Sequence, residues 1–306
     1  MQDVDGEVPV ARTGMVAIIG RPNVGKSTLL NALVGERVSI TSRKPQTTRE
    51  RVLGVLTRGR RPAVTQFIFV DTPGLQRSNR SLLAQRMNQS ARAALAEVDV
   101  VVLVIDAHGW RENDEAVLEL LPPDRPNIIL ALNKTDTLER YQDVLPVLQD
   151  SARRYRFAAF VPVSAERRRQ VDELLGEIAK RLPEGEPLFD DDQYTDRNVR
   201  FLAAELIREK AFRLLGDELP YGIAVTIERW DETGSGVSIV AGLLVEREGH
   251  KGIVIGAQGA KLREIGRLAR ADISALLEKP VHLETWVRVR RGWTDDARAL
   301  KSLGYE

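Results

Sequence analysis

Residues 20–27 read Gly20-Arg21-Pro22-Asn23-Val24-Gly25-Lys26-Ser27 and fit the pattern G-x-x-x-x-G-K-[ST]. An apolar, β-branched run at 16–19 precedes the stretch, and a helix-forming run at 28–33 follows it. Glycines in this position let backbone N–H groups and the helix N-terminus face bound phosphates. Lys26 adds a charge that reaches the β- and γ-phosphates, and the Ser27 hydroxyl is a ligand for Mg²⁺. The stretch predicts a phosphate-binding loop.

Apolar strand-like runs alternate with helical segments through the first half of the chain. The runs lie at 16–19, 67–70, 100–105 and 128–132, and the segment 82–95 shows helical spacing. This alternation predicts an α/β domain of the P-loop class, with a mostly parallel sheet flanked by helices. Ligands of such sheets bind beyond the carboxyl ends of the strands. No run approaches the roughly 20 apolar residues of a membrane span, so no transmembrane segment is predicted.

Two further motifs follow predicted strands, and a third follows the short run 161–163. Asp71-Thr72-Pro73-Gly74 offers a carboxylate for Mg²⁺, held through water, and a Gly74 N–H for the γ-phosphate. In Asn133-Lys134-Thr135-Asp136, the Asp136 carboxylate can accept hydrogen bonds from guanine N1–H and the 2-amino group, which adenine lacks. Ser164-Ala165-Glu166 could supply a backbone N–H to guanine O6. The set predicts GTP and GDP as ligands.

These motifs, together with Gln46-Thr47-Thr48-Arg49, resemble the translation-factor-like branch of small GTPases over residues 14 to about 182. The resemblance implies that Thr48, preferred to Thr47, completes the Mg²⁺ coordination, and that Lys26, Thr48, Asp71 and Gly74 form the catalytic set. Leu75 stands where Ras-like enzymes carry a water-orienting glutamine, so unassisted hydrolysis should be slow. Asn23 is either a potassium ligand or a residue that caps the loop. The expected nucleotide-binding residues are Gly20, Arg21, Pro22, Asn23, Val24, Gly25, Lys26, Ser27, Thr28, Asp71, Thr72, Pro73, Gly74, Asn133, Lys134, Asp136, Ser164 and Ala165.

The length of 306 residues favours two domains. We predict a flexible acidic tail at 1–13, a GTPase domain at 14–182, an acidic Pro/Gly linker at 183–197 and a second domain at 198–306. In the second domain, a helical run at 201–215 precedes a hairpin whose strands, 223–230 and 237–245, flank Gly234-Ser235-Gly236. A short helix, a glycine-containing loop, a longer helix and a strand at 281–289 complete an α+β unit.

The glycine-containing loop is a G-x-x-G segment at 256–259, preceded by V-I-G and followed by K-L-R-E-I. It resembles the RNA-binding loop of a type II KH domain, in which backbone approaches backbone and apolar side chains floor the groove. The apolar floor is expected from Ile253, Ile255, Leu262 and Ile265. Residues 251–291 hold nine Lys or Arg against four acids, as expected for phosphate contact. The expected RNA-binding residues are Lys251, Gly252, Ile253, Ile255, Gly256, Ala257, Gln258, Gly259, Lys261, Leu262 and Arg263.

The whole chain is similar to the Era family of bacterial GTPases, which are Era/TrmE-like P-loop proteins with a C-terminal type II KH domain. The closing segment 292–300 and Glu218-Leu219-Pro220-Tyr221 agree with that family as well. The resemblance implies binding to the 3′ end of 16S ribosomal RNA and a role in maturation of the small (30S) subunit in the cytoplasm. A C-terminal domain that binds protein or a membrane surface stays open as the alternative, as does partial peripheral association with the inner membrane. A GTPase of tRNA modification would usually need a catalytic cysteine, and the chain has none.

Overall fold

The computed structural model describes residues 10–41, 49, 51–71, 81–123, 125–216 and 222–303. The described residues form two compact units. The first unit draws on the segments Met1–Val38, Val52–Asp71 and Arg92–Asp196, and the second draws on Ser39–Arg51, Thr72–Ala91 and Arg197–Glu306. These units are built from interleaved segments, whereas the predicted domains are continuous ranges of the chain. The predicted boundaries remain a prediction.

The described part of the first unit contains a six-stranded sheet. Its strands are β1 Arg12–Ile19, β2 Val52–Arg58, β3 Thr65–Asp71, β4 Val100–Asp106, β5 Ile128–Asn133 and β6 Ala159–Pro162. They run in the order β2-β3-β1-β4-β5-β6, and every neighbouring pair is parallel except β2 and β3, which are antiparallel. The predicted mostly parallel sheet is therefore confirmed, and the edge strand β2 was not predicted.

Helices connect these strands, and two of them, the first and the fifth, bury apolar residues against the sheet. Their bounds are α1 Lys26–Val34, α2 Leu82–Ala96, α3 Glu112–Leu118, α4 Val144–Arg154 and α5 Val171–Ala179. One core cluster joins Leu29 of α1 and Leu174 of α5 to Val102 of β4, all with no exposed surface. All seven residues of β4 are buried, and the strand is apolar up to its last residue, Asp106. The packed sheet thus offers its polar groups at the carboxyl ends of the strands.

Part of the acidic segment 183–197 is joined to the sheet of the first unit by hydrogen bonds. Thr13 N donates to Pro183 O over 3.1 Å. The fully buried Gln66 side chain of β3 accepts from Leu188 N at 2.7 Å and donates to Phe189 O at 2.9 Å. Residues 183–197 were predicted as an acidic Pro/Gly linker, and that prediction did not include this attachment.

The second unit has the element order of a type II KH domain, as predicted. Its elements are α6 Val199–Leu214, β7 Ala224–Thr233, β8 Gly236–Val245, α7 Glu248–Ile255, α8 Ala260–Leu277, β9 Val281–Val289 and α9 Ala297–Ser302. Among the described residues a three-stranded sheet runs in the order β7-β8-β9, with β7 and β8 antiparallel and β8 and β9 parallel. Alternate residues of β8 belong to the same core cluster as residues of α8. Ile239 of β8 and Ile273 of α8, for example, are both fully buried in it.

Arg49 also belongs to the second unit, and its side chain is 4% exposed. Its Nη1 donates to Ile223 O over 2.7 Å, and its guanidinium lies 5.6 Å from the Phe212 ring centroid and 6.0 Å from the Trp293 ring centroid. Aromatic faces suit a buried cation of this shape. Within the described ranges, no helix is both long and apolar enough to cross a membrane.

Candidate functional site

The loop between β1 and α1 has a backbone that requires glycine. Gly25 has a φ of +96°, and a Cβ on it would lie 2.3 Å from Nδ2 of Asn133. Gly20 has a φ of +153°, and its Cβ would lie 2.4 Å from the Val104 carbonyl oxygen. A side chain at either position would combine an unfavourable backbone conformation with a collision. The loop therefore has the wrapped shape that phosphate binding needs.

Lys26 begins α1 with its ammonium turned back over this loop. The side chain is 7% exposed, and Nζ donates to the carbonyl oxygens of Gly20 and Arg21, each at 3.1 Å. Burial lowers the pKa of Lys26 to about 8, and the nearby Asp71 carboxylate offsets part of that effect. The loop thus holds a cation whose charge a bound phosphate would stabilise.

Two side chains with oxygen atoms that could bind a metal ion, Ser27 and Asp71, meet beside Lys26. Ser27 Oγ donates to Asp71 Oδ2 over 3.1 Å, and Asp71, the last residue of β3, is fully buried. A hydroxyl and a carboxylate are hard oxygen ligands that suit Mg²⁺, which keeps waters and phosphate oxygens in its remaining positions. In the described part of the chain no group of three or more His, Cys, Asp or Glu residues is placed to hold a metal ion. The two residues fit a nucleotide-dependent magnesium site.

Asn133 joins the three motifs that follow β1, β5 and β6. Its Nδ2 donates to Val24 O at 2.8 Å, and its Oδ1 accepts from Ala165 N at 3.0 Å. The exposed Asp136 accepts from Ser164 Oγ at 2.5 Å, which fixes the orientation of the carboxylate. The structure therefore brings the predicted guanine-binding residues together at the carboxyl ends of neighbouring strands.

Asp106 and Asp114 belong to this region, and the sequence analysis missed both. Asp106 ends β4 as the register partner of Asn133 and accepts from Lys134 Nζ at 2.9 Å. Asp114 has no exposed surface and accepts from Arg21 Nε at 3.1 Å. Burial raises the pKa of Asp114, and Arg21 opposes that change. Polar residues directly after an apolar strand are the signal that could have located Asp106.

Asn23 is exposed and has a φ of +66°, a left-handed conformation that asparagine tolerates better than most residues. Among the described residues its side chain has no hydrogen-bond partner, so no contact in that part of the chain supports a side-chain cap of the loop. Potassium coordination by Asn23 stays a prediction. Pro22 and Thr28 are half-buried on either side of the loop core. The predictions on Thr47, Thr48, Thr72, Pro73, Gly74, Leu75 and residues 218–221 lie outside the described residues.

In the second unit, the G-x-x-G segment forms a tight turn between α7 and α8. Gly256, Gln258 and Gly259 have φ values of +70°, +50° and +78°. A Cβ on Gly256 would lie 2.9 Å from Cγ of Lys261. Ala257, Gln258, Lys261 and Arg263 are exposed beside this turn. The backbone is thus accessible at the point where a KH loop would contact a nucleic-acid strand.

The apolar residues around the turn divide into accessible and buried ones. Ile253 is 39% exposed, and Ile255 and Leu262 are half-buried. Ile265 has no exposed surface, because it packs in the core between α8 and the sheet. The expectation that Ile265 floors the groove was therefore wrong. Lys251 is half-buried on α7 and Gly252 is exposed.

Family models match both halves of the chain. One described as "50S ribosome-binding GTPase" matches residues 15–134, and one described as "KH domain" matches residues 218–294.

Proteins named GTPase Era are similar to this chain over its whole length. The protein of Bordetella avium is 52% identical over 295 residues, covering 96% of this chain and 98% of the relative. The protein of Pseudomonas aeruginosa is 48% identical over 306 residues, covering 100% of this chain and 99% of the relative.

Two solved structures agree in fold as well as in sequence. Aquifex aeolicus Era with a single substitution, bound to GDP·AlF4⁻, superimposes with a TM-score of 0.91 at 41% identity and covers 96% of this chain and 99% of that one. Era in complex with MgGDPNP and nucleotides 1506–1542 of 16S ribosomal RNA gives the same TM-score, identity and coverage. The chain belongs to the Era family of GTPases.

Proposed function

We propose that this GTPase binds the 3′ end of 16S ribosomal RNA with residues 251–263 and assists maturation of the small (30S) ribosomal subunit. The observation that carries the proposal is the open G-x-x-G turn, whose backbone and neighbouring cations are accessible. Support comes from the similar Era protein that was solved with nucleotides 1506–1542 of 16S ribosomal RNA and MgGDPNP.

The nucleotide site supplies the switch in this proposal. Gly25 and Lys26 hold the phosphates, and Asp136, oriented by Ser164, selects guanine. Ser27 and Asp71, with Thr48 as the predicted third residue, would hold Mg²⁺, which would neutralise charge on the phosphates. Because Leu75 stands where Ras-like enzymes carry the water-orienting glutamine, hydrolysis is slow without a partner.

RNA recognition rests on backbone approach and on charge. The turn at 256–259 lets about four nucleotides pass close to the protein backbone, as in other KH loops. Ile253, Ile255 and Leu262 supply apolar surface for the bases. Lys261 and Arg263 lie exposed at the start of α8, where they can contact phosphates.

A pair of aspartates in the turn tests the RNA site. The double variant Ala257→Asp/Gln258→Asp places two negative charges beside the path of the phosphates and leaves both glycines in place. Binding of an RNA oligonucleotide from the 3′ end of 16S ribosomal RNA should fall more than about tenfold, while unassisted GTP hydrolysis stays as in the wild type. Lys261→Ala should weaken binding modestly and lower its salt dependence by about one counterion.

The matched control is Gly234→Asp/Ser235→Asp, which adds the same charge to an exposed turn next to the first residue of β8. The β8 strand separates that turn in sequence from α7 and the G-x-x-G segment. The control should keep RNA affinity. If the double variant in the loop binds as tightly as the wild type while it remains folded by circular dichroism, the C-terminal domain binds protein or a membrane surface instead.

A ribosomal RNA partner is consistent with a protein that acts in the cytoplasm. We also propose that part of the protein associates peripherally with the inner membrane. Cell fractionation in low and in high salt tests this association. Protein that pellets with membranes free of ribosomes would support the association, and protein found only with soluble and ribosomal fractions would exclude it.

A further inference from the structure

Asp106 lies at the carboxyl end of β4, between two loops of the nucleotide site. The residue is 5% exposed, and both of its carboxylate oxygens are engaged. Oδ1 accepts from His108 Nδ1 at 2.7 Å, and Oδ2 accepts from Lys134 Nζ at 2.9 Å. Arg21 Nη2 approaches Oδ2 to 4.0 Å. One carboxylate thus meets a cation from the phosphate loop and a cation from the guanine-recognition loop, which we define as residues 133–136.

The contact with Lys134 matters because the backbone of that residue is in an uncommon conformation. Lys134 has a φ of +69°, a left-handed geometry that a residue other than glycine keeps only when its surroundings hold it. The charge-assisted bond to Asp106 is one such constraint. A second constraint joins the same strand ends, since Ala107 N donates to Asn133 O at 2.7 Å. Asp136, two residues beyond Lys134, depends on this geometry for its position.

The contact with Arg21 extends the arrangement to the phosphate loop. Arg21 Nε donates to Asp114 Oδ2 at 3.1 Å, and the same oxygen accepts from Arg111 N at 3.0 Å. The guanidinium therefore lies between a fully buried carboxylate and Asp106. An asparagine at position 106 would keep the shape of the side chain but leave Lys134 and Arg21 without this shared negative charge.

We propose that Asp106 is a positioning residue that holds the guanine-recognition loop against the phosphate loop, so that base selectivity depends on a side chain outside both loops. The proposal rests on the proposed assignment of the nucleotide site. Hydrogen bonds from Lys134 and His108 outweigh the effect of burial and lower the pKa of Asp106 to about 2, so the group is charged under all ordinary assay conditions.

The test compares the binding of GTP and ATP to Asp106→Asn, which keeps the shape of the side chain and removes its charge. GTP affinity should fall about 10- to 100-fold, the usual effect of losing a hydrogen bond to a charged group. Binding of ATP should stay at its weak wild-type level, because ATP uses the phosphate loop but gains nothing from Asp136. The preference for GTP over ATP should therefore fall by the same factor. In steady-state assays KM for GTP should rise more than kcat falls.

Two further variants separate positioning from general loss of structure. Asp106→Glu restores the charge and should recover part of the GTP preference. Asp150→Asn removes a half-buried carboxylate that accepts from Arg154 Nε at 2.8 Å on α4, and it should leave both affinities unchanged. In the Lys134→Met background, Asp106→Asn should add little to the loss of GTP preference, because both substitutions break the same bond between Lys134 and Asp106.

The outcomes are distinguishable. Wild-type GTP preference in Asp106→Asn, equal losses for GTP and ATP, or additive losses in the double variant would each overturn the proposal. If Asp106→Asn melts too early for binding to be measured, Asp106→Ser, which also removes the charge, decides: a fall in the GTP-to-ATP ratio supports the proposal, and an unchanged ratio overturns it. If the wild-type protein itself shows no preference for GTP, the assignment of the nucleotide site fails instead.

Discussion

Lys26 makes nucleotide binding depend on pH in a way that follows from its surroundings. Burial lowers the pKa of its ammonium from 10.5 to about 8, despite the attraction of Asp71. Phosphate oxygens next to the ammonium favour its charged form, so the pKa is higher in the nucleotide complex than in the free protein. GTP binding therefore takes up a proton above this pH, and the affinity for GTP falls as the pH rises through about 8.

The size of the effect follows from the charged fraction of the free protein. With a pKa of about 8, Lys26 is about nine tenths charged at pH 7 and about one tenth charged at pH 9. We expect GTP affinity to fall about tenfold over that interval and to change by less than about twofold between pH 6 and pH 7.

Calorimetric titration with GDP and with a GTP analogue, at constant ionic strength, measures this dependence directly. Lys26→Arg is the control, because a guanidinium stays charged throughout the range. That variant should bind more weakly but with a flat pH profile, apart from titration of the nucleotide itself, which the comparison cancels. A wild-type profile parallel to that of Lys26→Arg would refute the explanation based on Lys26.

Three other predictions concern the same loop and the base site. Asp136→Asn should shift preference from GTP toward XTP, because the amide can donate to the 2-carbonyl of xanthine; competition between the two nucleotides measures it, and an unchanged GTP preference would remove Asp136 from the base site. GTP turnover should rise when potassium replaces sodium, and Asn23→Ala should abolish the difference; equal wild-type rates in both salts would contradict an ion at Asn23. Gly25→Ala should weaken nucleotide binding by about 2 kcal/mol or more, roughly 30-fold, because it adds left-handed strain and a contact of 2.3 Å with Asn133; wild-type affinity would show that the loop can relax.

Features of the fold that depend on local sequence pattern could be predicted from the sequence alone. Continuous apolar runs predicted β4 and β5, and the glycine spacing predicted the loop that Gly25 forms. The edge strand β2 was missed because Val52–Arg58 lacks a continuous apolar run and contains Gly54, so its pairing with β3 depends on a distant partner. The attachment of residues 188 and 189 was missed for a related reason, since Gln66 gives no local sign that it faces them.

Side-chain relations between distant segments were beyond pattern analysis. Asp106 belongs to no motif, and its importance follows only from the register that places it beside Asn133. Ile265, Ala269 and Ile273 share one face of α8 and are all fully buried, so helical spacing, and not the G-x-x-G motif, assigns Ile265 to the core. The spacing of G-x-x-G located the turn but could not separate groove residues from core residues.

The measurement that tests the central claim most directly is sequencing of the RNA crosslinked to the protein in cells, with the wild-type chain and the Ala257→Asp/Gln258→Asp variant compared in GTP-bound and GDP-bound states. The proposal predicts that wild-type reads concentrate at the 3′ end of 16S ribosomal RNA, that their yield differs between the two nucleotide states, and that the variant loses them. Reads spread over unrelated transcripts, or equal reads from the variant, would contradict an RNA site at residues 251–263.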